Sequence, residues 1–153
     1  MIRLNAYAKL NLSLDVTGKR ADGYHDLDGI MQSISLADIV EIRQADDISV
    51  SFDVPDVDST DNTAFAAAQA FFGNTGITGG ADIQIKKHIP RMAGLGGASA
   101  DAAAVLIGLN RLYEAGLDTN ALAALGVMLG ADVPFALTGG TARAKGIGEQ
   151  LKT

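Results

Sequence analysis

Polar and apolar residues alternate over most of the first half of the chain and take helical spacing over much of the second. Residues 2–8 alternate loosely; further on, Leu10, Leu12, Leu14 and Val16 are separated by Asn11, Ser13 and Asp15. A period of two puts one set of side chains on one sheet face, so both stretches are predicted strands with one buried face. Lys9 lies between them and faces away from the leucines. Residues 18–24, G-K-R-A-D-G-Y, read as a turn, sharpest at Asp22-Gly23. Residues 27–43 give one or two strands, with Ile34, Leu36, Val40 and Ile42 set against Ser33, Ser35, Glu41 and Arg43. Ile48, Val50, Phe52 and Val54 alternate with Ser49, Ser51 and Asp53, the cleanest half-buried strand, and 55–60 is polar loop.

Asp61 or Asn62 then caps an alanine-rich helix that Gly73 ends, with Phe65, Phe71 and Phe72 on its buried side. Ala81, Ile83 and Ile85 form another strand, which runs out at Ile89-Pro90. A helix is predicted over 99–115, N-capped by Ser99 with Asp101 in its first turn, carrying Val105, Leu109 and Leu112 and stopped by Gly116. A second begins at Asp118 or Thr119, carries Leu122, Leu125 and Leu129, and stops at Gly130. After Gly139-Gly140 a last strand covers 141–147. Strands come first and helices cluster later, without a regular β-α-β-α alternation. The expected class is α+β, in one domain.

Composition narrows the function. The 153 residues are 48% hydrophobic and 20% charged, with net charge −6, which argues against coating a nucleic acid. There is no cysteine, and His25 and His88 form no zinc pattern, so disulfide, thiolate and metal-ligand chemistry are not expected. No apolar run approaches membrane-spanning length, and the expected location is the cytoplasm.

The stretch with most chemistry in it is 90–105, P-R-M-A-G-L-G-G-A-S-A-D-A-A-A-V. Gly94, Gly96 and Gly97 precede a helix start, where unpaired N–H groups and a positive dipole end make an anion site. The loop lacks both the dinucleotide fingerprint and the Gly-Lys-Ser/Thr of a Walker A loop. Asp132 sits in a stiff corner, because Val133 precedes Pro134 and is pushed to an extended conformation. A carboxylate there either caps the next turn or needs a partner. Lys9, interrupting an apolar strand pair, either reaches solvent or pairs. A Lys–Asp pair beside a bound phosphate has the chemistry for phosphoryl transfer. Tyr24-His25 offers an aromatic face and an imidazole to a base, or only a turn packed on the surface. His88 reads as a strand-end residue, and Lys86 and Lys87 either face phosphates or, as the pattern favours, form a solvated strand edge.

Taken together, A-K-L-N-L-S-L (8–14), G-K-R-A-D-G-Y-H-D-L (18–27), D-N (61–62), I-P-R-M-A-G-L-G-G-A-S-A-D-A-A-A (89–104) and L-G-A-D-V-P-F (129–135) resemble the 4-diphosphocytidyl-2-C-methyl-D-erythritol kinases. That family lies within the GHMP superfamily of galactokinase, homoserine kinase, mevalonate kinase and phosphomevalonate kinase. The resemblance implies a mixed or antiparallel sheet packed against helices. It also implies transfer of the ATP γ-phosphoryl group to the 2-hydroxyl of a cytidine diphosphate derivative, with magnesium, in the non-mevalonate route to isoprenoids. Asp132 and Lys9 match the catalytic pair. Pro90, Arg91, Met92, Ala93, Gly94, Leu95, Gly96, Gly97, Ala98, Ser99 and Ala100 match the ATP-phosphate loop, with Asn62 and Lys87 near the nucleotide. Tyr24 would stack on the cytosine, His25 would read its edge, and Asn11 would help place the substrate. The family often has Gly where Ala98 stands. Its members continue into a second domain that closes the cleft, so 1–153 is expected to be the N-terminal domain alone. Self-association through the face that a second domain would cover is expected as well.

Overall fold

The computed structural model describes residues 1–55 and 62–153. Its elements run β1 (Ile2–Lys19), β2 (His25–Ala45), β3 (Ser49–Phe52), α1 (Thr63–Thr75), β4 (Gly80–Lys86), α2 (Gly97–Leu112), α3 (Thr119–Leu129), α4 (Val133–Thr138), β5 (Thr141–Gly146) and β6 (Gln150–Lys152). Asp61 and most of the predicted polar loop fall outside the described residues. β6 carries no pattern long enough to be predicted.

The sheet is organised on β2, a single strand of 21 residues. β1 pairs antiparallel along nearly its whole length, while the opposite edge is shared between β4, which meets 39–45, and β5, which meets 27–32. β3 is parallel to β4 and the other pairings are antiparallel, so the sheet is mixed and the class is α+β. The helices pack on this sheet. Val40 and Ile42 of β2 and Ile83 of β4 are fully buried with Val105, Leu106 and Leu109 of α2 and Phe71 of α1. α2 comes close enough that a Cβ at Gly108 would stand 2.4 Å from Ile42 Cδ1.

Four local expectations are corrected. The apolar series Leu10, Leu12, Leu14 and Val16 is not a buried face: these residues are 40%, 61%, 48% and 62% exposed. A bulge breaks the alternation. Asn11 pairs with Met31 but Ser13 with Ile30, which leaves Leu12 as the extra residue. Leu10 faces Gln32 and Leu14 faces Gly29, positions of opposite parity, so the series is split between the two faces. α1 runs through Gly73 and stops at Gly76, whose φ of 67° is the left-handed turn a helix end uses. α2 starts two residues early, on Gly96 with φ 71°, so Ser99 lies inside the first turn and Asp101 just beyond it. Val133 is helical rather than extended, because Pro134 sits at the start of α4, where its missing N–H is not needed.

Candidate active site

Between Tyr7 and Lys9 the register of β1 slips: Tyr7 pairs with Ala37 but Lys9 with Ser33. The irregularity lets the sequence neighbours Ala8 and Lys9 both turn inward, at 0% and 8% exposed. A buried ammonium needs partners. Lys9 Nζ has Asp132 Oδ2 at 3.1 Å and Asn11 Oδ1 at 3.3 Å. Asp132 is the N-cap residue of α4, yet its side chain makes no capping bond, so it does not cap its own turn. It faces Lys9 instead. Its side chain keeps 31% of its surface exposed against 10% for Lys9, which leaves the pair open to a ligand from the Asp132 side.

Lys9 also meets the Gly-rich loop. Its main-chain N–H donates to the Leu95 carbonyl at 2.9 Å, and a Cβ on Gly96 would lie 3.0 Å from Lys9 Cγ. Gly96 is thus required by close approach as well as by its positive φ. The Ala100 N–H donates back to the Gly96 carbonyl at 2.9 Å as α2 begins. The N–H groups of Gly97, Ala98 and Ser99 are therefore the helix's unused donors, at its positive end. Residues 90–99 line a cleft of about 630 Å³ together with Asn62, Lys87 and Asp101, a size suited to a cofactor-scale molecule. Ala100 is buried behind it at 2% exposed. Ala98 is helical and exposed, so its methyl group strains nothing. Neither Lys9 nor Asp132 lines the cleft; the contacts at Leu95 and Gly96 join them to the loop.

Lys87 is not a solvated edge residue. Its side chain is 9% exposed and pairs with Asp38 and, at 2.6 Å, with Asp101. Burial opposes its charge, but the Asp101 and Asp38 carboxylates outweigh that and raise its pKa. In Asp101 burial outweighs the charges instead. Burial pushes its carboxyl up to about 7, against the pull of Lys87 and with a smaller push from Asp38. Asp38 and Asp101 were both missed as site residues. Asp38 shares strand parity with Val40 and Ile42, both 0% exposed, and that parity was the legible sign of a buried carboxylate.

Asn62 caps α1, its Oδ1 accepting the Phe65 N–H at 2.8 Å, and this fixes it on the cleft wall. His88 is a strand-end residue, its ring Nδ1 at 3.0 Å from the Ala37 carbonyl. Tyr24 and His25 are exposed at the tip of the β1–β2 hairpin. Among the described residues no hydrogen bond or ion pair ties them to Lys9, Asn11 or Asp132. The structure thus brings Lys9, Asn11, Asp132 and the loop together and leaves the tip pair apart.

The GHMP kinases N terminal domain matches residues 62–140. The chain belongs to that GHMP kinase family. It is 54% identical over 150 residues to a protein of Carboxydothermus hydrogenoformans named 4-diphosphocytidyl-2-C-methyl-D-erythritol kinase, covering 96% of this chain and 51% of that one. A Clostridioides difficile protein of the same name is 48% identical over 155 residues, covering 98% and 52%. A crystal structure of 4-(cytidine 5'-diphospho)-2C-methyl-D-erythritol kinase superposes with a TM-score of 0.83 at 43% identity, over 99% of this chain and 54% of that one. Methanococcus jannaschii mevalonate kinase shares the fold, with a TM-score of 0.76 at 17% identity over 99% and 55% of the two chains. This GHMP kinase domain spans about half the length of the curated relatives it matches. No helix among the described residues is long and apolar enough to cross a membrane.

Proposed function

We propose that residues 1–153 form one domain, the N-terminal half of a kinase that transfers the ATP γ-phosphoryl group to the 2-hydroxyl of 4-diphosphocytidyl-2-C-methyl-D-erythritol. The second domain is then supplied by sequence outside this chain. The observation that carries the reading is the meeting of the Lys9–Asp132 pair, its lysine buried and its aspartate half-open, with the Gly-rich loop. The names of the relatives support the substrate.

In this reading the unused N–H groups of Gly97, Ala98 and Ser99 hold the phosphates of ATP, with Asn62 and Lys87 on the nucleotide side of the cleft. Asp132 accepts the proton of the substrate hydroxyl as its oxygen attacks, and Lys9 orients Asp132 and balances charge on the transferring group. Asn11, held on Lys9, helps place the substrate, while Tyr24 stacks on cytosine and His25 reads its edge. Among the described residues no three His, Asp or Glu side chains converge on a metal site. They do not fit a protein cage, and magnesium would be held by nucleotide phosphates and water. The protein acts in the cytoplasm, and the uncovered β1–β2 ribbon gives the isolated chain a weak self-contact.

The test is ATP consumption with the cytidine substrate, in this chain and in the longest reading frame that contains it. An active longer protein in which Asp132→Ala keeps the full rate rejects the mechanism. A folded chain that fails to bind CDP rejects the cytidine reading while leaving a GHMP-type kinase of another alcohol.

A further inference from the structure

Asp101 is 3% exposed, and its Oδ1 is buried with no hydrogen-bond partner among the described residues. Its Oδ2 accepts from Lys87 Nζ at 2.6 Å. Lys87 also pairs with Asp38, and Asp38 Oδ1 accepts the main-chain N–H groups of His88 at 2.6 Å and Ile89 at 2.8 Å. One ammonium therefore serves two buried carboxylates. Asp38 is tied to the chain entering the Gly-rich loop, and Asp101 rides on the helix leaving it. The ammonium lies under the loop itself: a Cβ on Gly97 would stand 3.5 Å from Lys87 Nζ.

We propose that Asp101 is a proton-carrying positioning residue of the phosphate loop, so that an anion bound at residues 94–99 and a proton on Asp101 stabilise each other. This rests on the reading of the loop as a phosphate site. A buried carboxylate with an unpartnered oxygen is costly while ionised, and its protonated form removes that charge. Two carboxylates on one cation add to the cost. With Asp101 neutral, Lys87 and Asp38 balance; with Asp101 ionised, the floor of an anion site carries a net negative charge. The carboxyl, raised to about 7 by burial, titrates where this matters.

The other ionisable groups facing the cluster leave it unbalanced. Lys9 of β1 is paired with Asp132 on the far side of Gly96. Asp53 accepts the Lys87 main-chain N–H at 2.8 Å, adding another negative charge nearby. The His88 ring is turned to the Ala37 carbonyl, and Arg91 of the loop is exposed. α1, α3 and α4 bring no ionisable side chain.

The experiment compares ADP affinity of the wild type, Asp101→Asn and Asp38→Asn as a function of pH. The ligand's own ionisation is common to all and cancels in the ratios. From about pH 6 to about pH 9 wild-type affinity should fall about tenfold relative to Asp101→Asn, the equivalent of one pKa unit of coupling. In Asp38→Asn the fall should move to lower pH, because Lys87 then serves Asp101 alone. A wild-type to Asp101→Asn ratio that stays constant with pH overturns the proposal, as a purely structural role predicts. The Asp101 carboxyl carbon, followed by NMR in the free wild type, decides if Asp101→Asn does not fold. A midpoint near neutrality supports the proposal, and one in the ordinary carboxylate range overturns it. Absence of ADP binding to any form at any pH rejects the loop reading, and this proposal with it; binding with a pH-independent ratio rejects this proposal alone.

Discussion

Asp132 and Lys9 act on each other before they act on anything else, and their substitutions should differ accordingly. Asp132→Asn keeps the shape and removes the proposed base; kcat in the longer protein should fall on the order of a hundredfold or more with KM little changed. Lys9→Met removes a buried cation from a partly buried acid, and should lose both rate and a few degrees of melting temperature. Gly96→Ala puts a Cβ 3.0 Å from Lys9 Cγ at a residue with φ 71°. We expect ADP affinity to fall at least tenfold by calorimetry, because backbone and lysine must both shift. Asp101 also bears on stability. Its folded-state carboxyl is raised, so its contribution is complete below the ordinary value of 3.8 and is lost as pH rises through about 7. Asp101→Asn should melt above the wild type at pH 8, by on the order of 3 kcal/mol, and the gap should close toward pH 4. At this scale the candidates were legible as residue types in awkward places: a lysine inside an apolar alternation, an aspartate in a tight corner. Their pairing came from the family resemblance and not from the local pattern, since it depends on a register slip after Tyr7 that no alternation announces.

Elements were easier to read than their ends. Asn62 and Asp118 cap α1 and α3 because a short polar side chain before an apolar run satisfies a first-turn N–H, a local rule that tertiary structure seldom overrides. Ser99 looked like the same signal and was not. Gly96, free to adopt positive φ, starts α2 earlier, and that early start exposes the N–H groups of residues 97–99. Gly73 misled in the opposite sense: a glycine inside a helix resembles a stop until a later one, Gly76, adopts the left-handed turn. The close approach of α2 to β2 gives a sharp test. Gly108→Ala places a methyl 2.4 Å from Ile42 Cδ1, and Ile42 is fully buried. Denaturation should show a loss of about 1–3 kcal/mol, the usual range for overpacking, with Ile42→Val restoring part of it.

For the whole molecule, the α+β class followed from element order, but which surface faces water did not. Alternation marks a strand and names its two faces; it does not say whether anything packs against either. Leu12 and Val16, more than 60% exposed, should give the isolated chain concentration-dependent light scattering, which Leu12→Lys and Val16→Lys together abolish. A clean monomer at high concentration would contradict this. The bulge at Leu12 has a partner further up the same strand: Val16 pairs with Leu27 and Gly18 with Asp26, leaving Thr17 as a second extra residue. Each extra residue bends a strand without changing what pairs beyond it. The direction in which the hairpin carries Tyr24 and His25 is therefore written in strand length rather than in side-chain chemistry. Deleting Leu12 should leave folding and ADP binding intact while CDP binding is lost, a change of specificity made far from the residues proposed to contact the base.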